Sequence, residues 1–409
     1  MADIPVLCIV LNHGGKEGTS KKRSADETKP IPAIYDEEAS AASAEPSTSG
    51  QFPVFKRVRA AMYKHRAKRF PRLPEHRHDL VIPDQFKATN SGEDFLLCQS
   101  NSRHILVFAR GSNIRLLAAS RTWGMEDTFN IVPQWYQQLH TIHAFLAGTL
   151  VPAVYCLCTG KDIATYGFIF QALIDKAAVL EVDLNRDTII CDFETALMPA
   201  IQDYFPNTRV QGCYFHFCQA VHRKVSKLGQ KTRYHQREET RRKIRMLLAT
   251  AFLSVPHVNT GVSLLEAGTT GNLLALFQYF RQEWMTDERL PLWNVHNVNI
   301  RTNNHLEGWQ NQLNRKAGKG HNGFYKLLQL MIAEQGVMDT LIQQVLSGNV
   351  TVGDLRRVNR VYAQKQRWVA QYTGEYTNGR RTLEQYLEAF MYITPEPIYY
   401  RLPSAANHN

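Results

Sequence analysis

Two adjacent carboxylates interrupt an otherwise apolar run in "WGMEDTF", where Glu126 and Asp127 follow an aromatic residue and a glycine. A second acid, Asp192, ends the apolar run of "TIICDFE", and a third, Glu307, lies in "RTNNHLEGWQNQLNRK". Ionised carboxylates in buried strands are costly unless they meet a partner or a cation. Acids on neighbouring strands repel each other and need a cation between them. The chemistry such acids support is phosphoryl transfer. There, carboxylates hold two Mg2+ or Mn2+ ions roughly 4 Å apart, one activating the attacking oxygen and one stabilising the leaving oxygen. Hard cations take oxygen ligands, so acids rather than Cys or His are the expected donors. On the tripeptide "DFE" alone, Asp192 also fits a simpler role, that of an N-cap or first-turn acid where a strand joins a helix.

The elements that must carry these acids follow from periodicity. "DFLLCQS" and "HILVFAR" form a hairpin pair that "NIRLLAAS" continues. "TWGMEDTFNIV", "QQLHTIHAFL" and "VPAVYCLCTG" are consecutive strands; a helix follows at "ATYGFIFQALIDKAAVLE", a strand at "DTIICDFE", a short helix at "TALMPAIQDYF" and a last strand at "TRVQGCYFHF". Three strands, helix, strand, helix, strand is the order of a ribonuclease-H-like α/β fold, a mixed sheet with helices on both sides. In that order the first long strand lies beside "IICDFE", so Glu126 or Asp127 neighbours Asp192, and open sheets of this kind place sites at strand ends. After Phe217 the spacing of apolar residues is helical to the C-terminus.

Charge is unevenly placed. Residues 51–78 carry nine Lys/Arg against one acid and residues 219–246 carry ten against two, so each stretch is +8 while the whole chain of 409 residues is +11. Clustered base on a body that is otherwise slightly acidic is the footprint of a polyanion binder, and two such stretches around an acidic centre favour nucleic acid over solvated helix faces. The residues expected to hold phosphates are Arg57, Arg59, Lys64, Arg66, Lys68 and Arg69 in the first stretch and Arg223, Lys224, Lys227, Arg241, Arg242 and Lys243 in the second. Seven scattered cysteines with no secretory leader indicate free thiols in a reducing compartment. No run approaches the length of a membrane span. "SKKRS" is a short match to a nuclear-import signal, and the nucleus is the expected location.

Four segments carry a resemblance to a known family. "RTWGMEDTFNIVPQWYQQLHTIHA", "TIICDFETALMPAI", "GCYFHFCQAVHRKV" and "RTNNHLEGWQNQLN", in this order, resemble the Mutator-like element (MULE) transposases of the animal type over roughly residues 52–345. The resemblance implies a DDE enzyme with a ribonuclease-H-like core, a helical insertion before the final Glu and a divalent metal. Its partners would be element-end and target DNA, and its reaction the cleavage of those ends and transfer of the new 3′ hydroxyl; a second copy of the chain is a further candidate partner, with the oligomeric state left open by the sequence. Glu126, Asp192 and Glu307 fall on the catalytic, metal-binding positions. The 115-residue interval from Asp192 to Glu307 leaves room for the insertion.

The chain also departs from the family's pattern. The family carries Asp-Gly-Thr-Phe around the first acid, so Glu126 stands on the catalytic Asp and Asp127 on the Gly, a ligand one methylene longer with a charge beside it. Gln310 stands where the family has His, and residues 1–51 hold no paired Cys and His of the FLYWCH zinc-finger kind. Cys213 and His216 match the family's Cys-x-x-His element. This is read as packing under the active site or a DNA contact rather than a zinc site, since only Cys218 and His222 could complete four ligands. His143 and Trp309 are read as core residues. A non-enzymatic alternative is a transposase-derived DNA-binding or regulatory protein with a relic triad.

The expected organisation is a disordered arm over 1–51, a basic helix and small β segment over 52–115 and the first part of the core over 116–218. A basic helical insertion over 219–300, the catalytic-Glu helix and end of the core over 301–346 and a helical tail over 347–409 complete it.

Overall fold

A seven-stranded mixed sheet organises the larger of two units, Ile82–Asn409, in a computed structural model that describes residues 23, 31–43, 52–68, 70–146, 149–298, 304–318, 323–347 and 360–397. Its strands are β1 (Leu96–Gln99), β2 (Leu106–Phe108), β3 (Thr122–Thr128), β4 (Gln138–Leu146), β5 (Thr149–Cys158), β6 (Thr188–Cys191) and β7 (Arg209–Gly212). They lie in the order β1-β2-β5-β4-β3-β6-β7. β3, β4 and β5 form an antiparallel meander, whereas β6 runs parallel to both β3 and β7. The parallel pairs need crossovers, which helices supply.

In the smaller unit, Met1–Val81, helix α1 (Ile31–Ser43) packs on the basic helix α2 (Phe55–Lys68) through Ile31, Ile34 and Met62, with Phe55 and Val58 beside them. The apolar face at 55, 58 and 62 is the one the helical spacing marks. The disordered arm expected over 1–51 therefore contains a helix at 31–43, because Ile31 and Ile34, one turn apart, bury against Met62.

In the larger unit, α3 (Gly111–Ala119) replaces the strand expected at "NIRLLAAS". Ile114 and Leu117 are fully buried on one side, and a run this short is ambiguous between strand and helix by periodicity alone. Asn113 accepts from the Arg110 backbone at 3.2 Å at the helix start, and the buried Arg186 guanidinium donates to the carbonyls of Leu117, Ala118 and Ser120 at its end. The small β segment expected before residue 116 is not separate either. β2 pairs with β5, so β1 and β2 extend the main sheet.

Helix α4 (Ile163–Val179) joins β5 to β6 and starts on Asp162, whose carboxylate accepts from the Thr165 backbone at 2.7 Å. Helix α5 (Leu197–Tyr204) joins β6 to β7. Tyr166 of α4 lies edge-on to His140, so α4 covers the sheet face that carries Asp127.

From α6 (Tyr214–Lys227) onward the described residues hold helices and no strand: α7 (Lys231–Gln236), α8 (Glu238–Ala249), α9 (Val255–Glu266), α10 (Gly271–Trp284) and α11 (Leu290–Trp293) come first. These share a second apolar cluster, centred on Phe217, Leu247, Phe277 and Trp293, that is distinct from the one under the sheet. Helix α12 (Asn304–Ala317) returns to the sheet, where Trp309 packs on His143 and Tyr155. It is followed by α13 (Phe324–Leu346). The last helices, α14 (Arg360–Thr377) and α15 (Leu383–Met391), bring Tyr386, Leu387 and Phe390 into the same cluster as α8. The expected helical tail is thus part of the insertion's core. No helix among the described residues is long and apolar enough to cross a membrane.

Candidate active site

Strand alternation decides which of the two adjacent acids faces which side. Across β3 and β4, Glu126 pairs with Thr141 and Asp127 with His140, and the ladder between them runs without a bulge. Glu126 therefore shares its face with Thr141, His143 and the overlying Trp309 of α12, while Asp127 points to the face covered by α4. The parallel register Gly124↔Ile190, continued by two residues, sets Glu126 level with Asp192 just past the end of β6.

The third group is His216, on the first turn of α6. Cys213 occupies the N-cap of that helix, and the turn lays the imidazole across the two acids. His216 Nε2 is 3.7 Å from Glu126 Oε1, and its Nδ1 is in ion-pair contact with Asp192 Oδ1. One ligand atom from each of the three residues falls within 4.8 Å of the others. Glu126 is only 5% exposed. Burial favours the neutral imidazole, but the contacts with Asp192 and Cys213 outweigh it and push His216 up to about 12. His216 Nδ1 and Asp192 Oδ1 are both buried atoms that face each other in that contact. Two carboxylate oxygens and an imidazole fit a divalent ion.

Three consecutive residues after β6 go three ways. Asp192 joins His216. Phe193 lies on Gly212, where an added Cβ would come within 2.2 Å of its ring, and meets Trp284 edge-on. Glu194 returns to the α4 face, where it accepts from Tyr166 Oη at 2.8 Å and lies 3.5 Å from Lys161 Nζ. There it meets Asp127, whose Oδ1 is 2.8 Å from His140 Nδ1, and Gln138 Nε2 donates to Tyr166 Oη at 3.0 Å. Burial and the adjacent Asp127 hold Glu194 above the usual carboxylate range. Burial also works against an ionised Asp127, yet His140 keeps it below that range.

Glu307 sits on α12 one turn before Gln310; its side chain lies outside the described residues. Gln310 Nε2 donates to the Asp127 carbonyl at 3.0 Å and so fastens α12 to the strand of the first acid. His143 is wholly buried and burial holds it down to about 3; it contacts Thr141 Oγ1 at 3.1 Å, which in turn donates to the Glu126 carbonyl. Its place is in the core beneath the site, as is that of Trp309. Cys218 and His222 are buried in the helical cluster, with His222 Nε2 3.3 Å from the Pro395 carbonyl.

The basic residues divide. Arg223 and Lys227 are exposed on α6, and Lys224 Nζ lies 4.6 Å from the Tyr279 ring centre. Arg241 pairs with Glu238, Arg242 reaches Glu384 and Glu388 of α15 at 3.3 and 3.2 Å, and Lys243 donates to Thr269 at 2.9 Å. In the smaller unit Arg57, Arg59, Lys64 and Lys68 are exposed and Arg66 is half-buried; Arg69 lies outside the described residues.

His216, expected to pack under the site or contact DNA, lies at the site itself, and Cys-x-x-His after the last strand is the sequence signal for that place. The sequence did not single out Glu194, His140 or Tyr166, whose only signal is that Glu194 stands two residues beyond Asp192.

Residues 123–220, from β3 through the first half of α6, match the family model of the MULE transposase domain. The chain thus carries a MULE transposase domain, and the match contains Glu126, Asp192 and His216. No curated protein matches the chain significantly.

Proposed function

We propose that this chain is a DDE-type transposase-like DNA phosphoryl transferase of ribonuclease-H-like fold, working in the nucleus as a homo-oligomer on element ends and target DNA. The observation that carries this reading is the convergence of Glu126, Asp192 and His216 from three different elements within the MULE domain. Glu126 and Asp192 would hold Mg2+ or Mn2+, with His216 as an additional donor and Glu307 supplied from α12. When bound, such ions activate the attacking oxygen and stabilise the leaving one. The chain's own groups do the rest. The Phe193 ring on Gly212 and the Gln310 bond to β3 keep the acids in register, and the exposed bases of α2 and α6 take the phosphates of DNA.

A second reading rests on the same imidazole. His216 already bridges the two acids, so the triad can persist in a DNA-binding or regulatory protein that performs no chemistry. Assays of metal-dependent cleavage and strand transfer on element-end DNA separate the two, run on the wild type and on Glu126→Asp, Asp127→Ala and Asp192→Ala. The enzyme reading expects Asp192→Ala to abolish activity and Glu126→Asp to raise it. A chain that binds DNA but stays inert in every variant leaves the regulatory reading standing alone.

A further inference from the structure

Helix α6 begins at the candidate site and leads away from it. At about 100° per residue, His216, Ala220, Arg223 and Lys227 fall within about 40° of one another and form one stripe along the helix. The opposite side is built for packing. Phe217, Val221 and Val225 are buried there, and the Phe217 ring stacks on Trp293 at 4.6 Å, so the helix is held with the stripe turned away from its core. Other cations of the insertion are committed to partners. Arg242, Arg245, Arg281 and Arg289 each meet a carboxylate, and Lys224, next to the stripe, lies over the Tyr279 ring. Arg223 and Lys227 are exposed, and among the described residues no ion pair takes them. Between them and His216 the stripe carries only the methyl group of Ala220, which lets a nucleic-acid backbone run close to the helix.

We propose that this stripe is a register rail: Arg223 and Lys227 hold two phosphates of the one DNA strand whose 3′ end lies at the triad. The inference rests on the phosphoryl-transfer reading above and adds the strand contacts that set which bond is presented to the acids. At a rise of about 1.5 Å per residue, Arg223 stands about 10 Å and Lys227 about 16 Å along the helix from His216. A duplex strand advances about 3.4 Å per nucleotide, so the two cations match phosphates about three and about five nucleotides from the reacting one. Phosphate contacts carry no sequence information, yet they fix register and orientation. Both residues are therefore positioning residues, acting on the reacting bond through the strand they hold.

The test uses a short mixed-sequence DNA hairpin with one open duplex end. Single neutral methylphosphonates are placed one position at a time along its 3′-ending strand, and binding to the full chain is measured by fluorescence anisotropy at fixed salt. The wild type is expected to lose about three- to tenfold in affinity at each of two positions. Those positions should lie about three and about five nucleotides from the 3′ end. Arg223→Ala should lose its sensitivity at the nearer position alone, and Lys227→Ala at the farther position alone, because a missing charge has no phosphate left to miss. Both variants change exposed side chains, so their thermal midpoints should match the wild type. Losses that both variants retain in full overturn the rail, as does a 3′-ending strand with no sensitive position. A wild type that shows both pairings yet stays inert in the cleavage assays leaves the strand contacts standing and removes the transferase reading alone. One that cuts element-end DNA and shows neither pairing removes the rail alone.

Discussion

At the scale of residues, the pair Glu126 and Asp127 separates into two environments because adjacent strand residues face opposite ways. Glu126 meets His216 and Asp192; Asp127 meets His140 and Glu194. Gln310 links this strand to the helix that carries Glu307, through one hydrogen bond to a main-chain carbonyl. Gln310→Ala is expected to cost about 1 kcal/mol, the usual net worth of such a bond, read as a fall of a few degrees in thermal midpoint. Gln310→Glu, which lacks the donor, should cost more, because it sets a carboxylate against that carbonyl. Equal stability of wild type and both variants would show that α12 is held by Trp309 alone.

At the scale of elements, the turn after β6 is shaped by one glycine on the neighbouring strand. Gly212 leaves space for the Phe193 ring, and the turn delivers Asp192 and Glu194 to opposite faces. Gly212→Ala is expected to destabilise by about 1–3 kcal/mol through overpacking, and adding Phe193→Leu should recover part of the loss in chemical denaturation. No recovery would mean that Phe193 is not the clashing group. The strand and helix order from β3 to β7 was legible because long alternating or apolar runs are bounded by turns. The segment at 111–119 was not, since nine residues with Leu116 and Leu117 side by side suit either element. Tertiary contacts hold it as a helix: Ile114, Leu116 and Leu117 are buried, and Arg186, from 66 residues or more away, takes the terminal carbonyls.

At the scale of the whole molecule, two apolar clusters in the larger unit divide the work: one beneath the sheet and one formed by α6 to α11 with α14 and α15. The basic stretch 219–246 serves both this packing and the surface, with Arg242 spent on α15 and Arg223 and Lys227 left exposed. Arg223→Ala with Lys227→Ala is therefore expected to lower the slope of log K against log salt for DNA by about 2, whereas Arg242→Ala should act mainly on stability. A salt slope unchanged by the double variant would place the DNA elsewhere. The seat of the C-terminal segment has its own pH signature. Burial holds His222 down to about 4, from an ordinary 6.5, and outweighs its hydrogen bond to the Pro395 carbonyl, which works the other way. The unfolded chain then takes up the proton first, so stability is complete above about 6.5 and falls as pH drops toward 4. His222→Gln should flatten the fall of thermal midpoint over that range, and an unaltered slope would assign it to other groups.

The sequence by itself determined what local pattern can encode: the strands that carry Glu126 and Asp192, the helical character after Phe217, and the two basic stretches. Periodicity and composition act over a few residues, and these features are expressed there. Only the tertiary structure decided that His216 joins the acids, that Glu194 turns to Tyr166 on the opposite face, and that α14 and α15 complete the insertion's core. Each of those depends on side chains brought together from separate elements, some of them more than a hundred residues apart. Short-range spacing carries no record of such meetings.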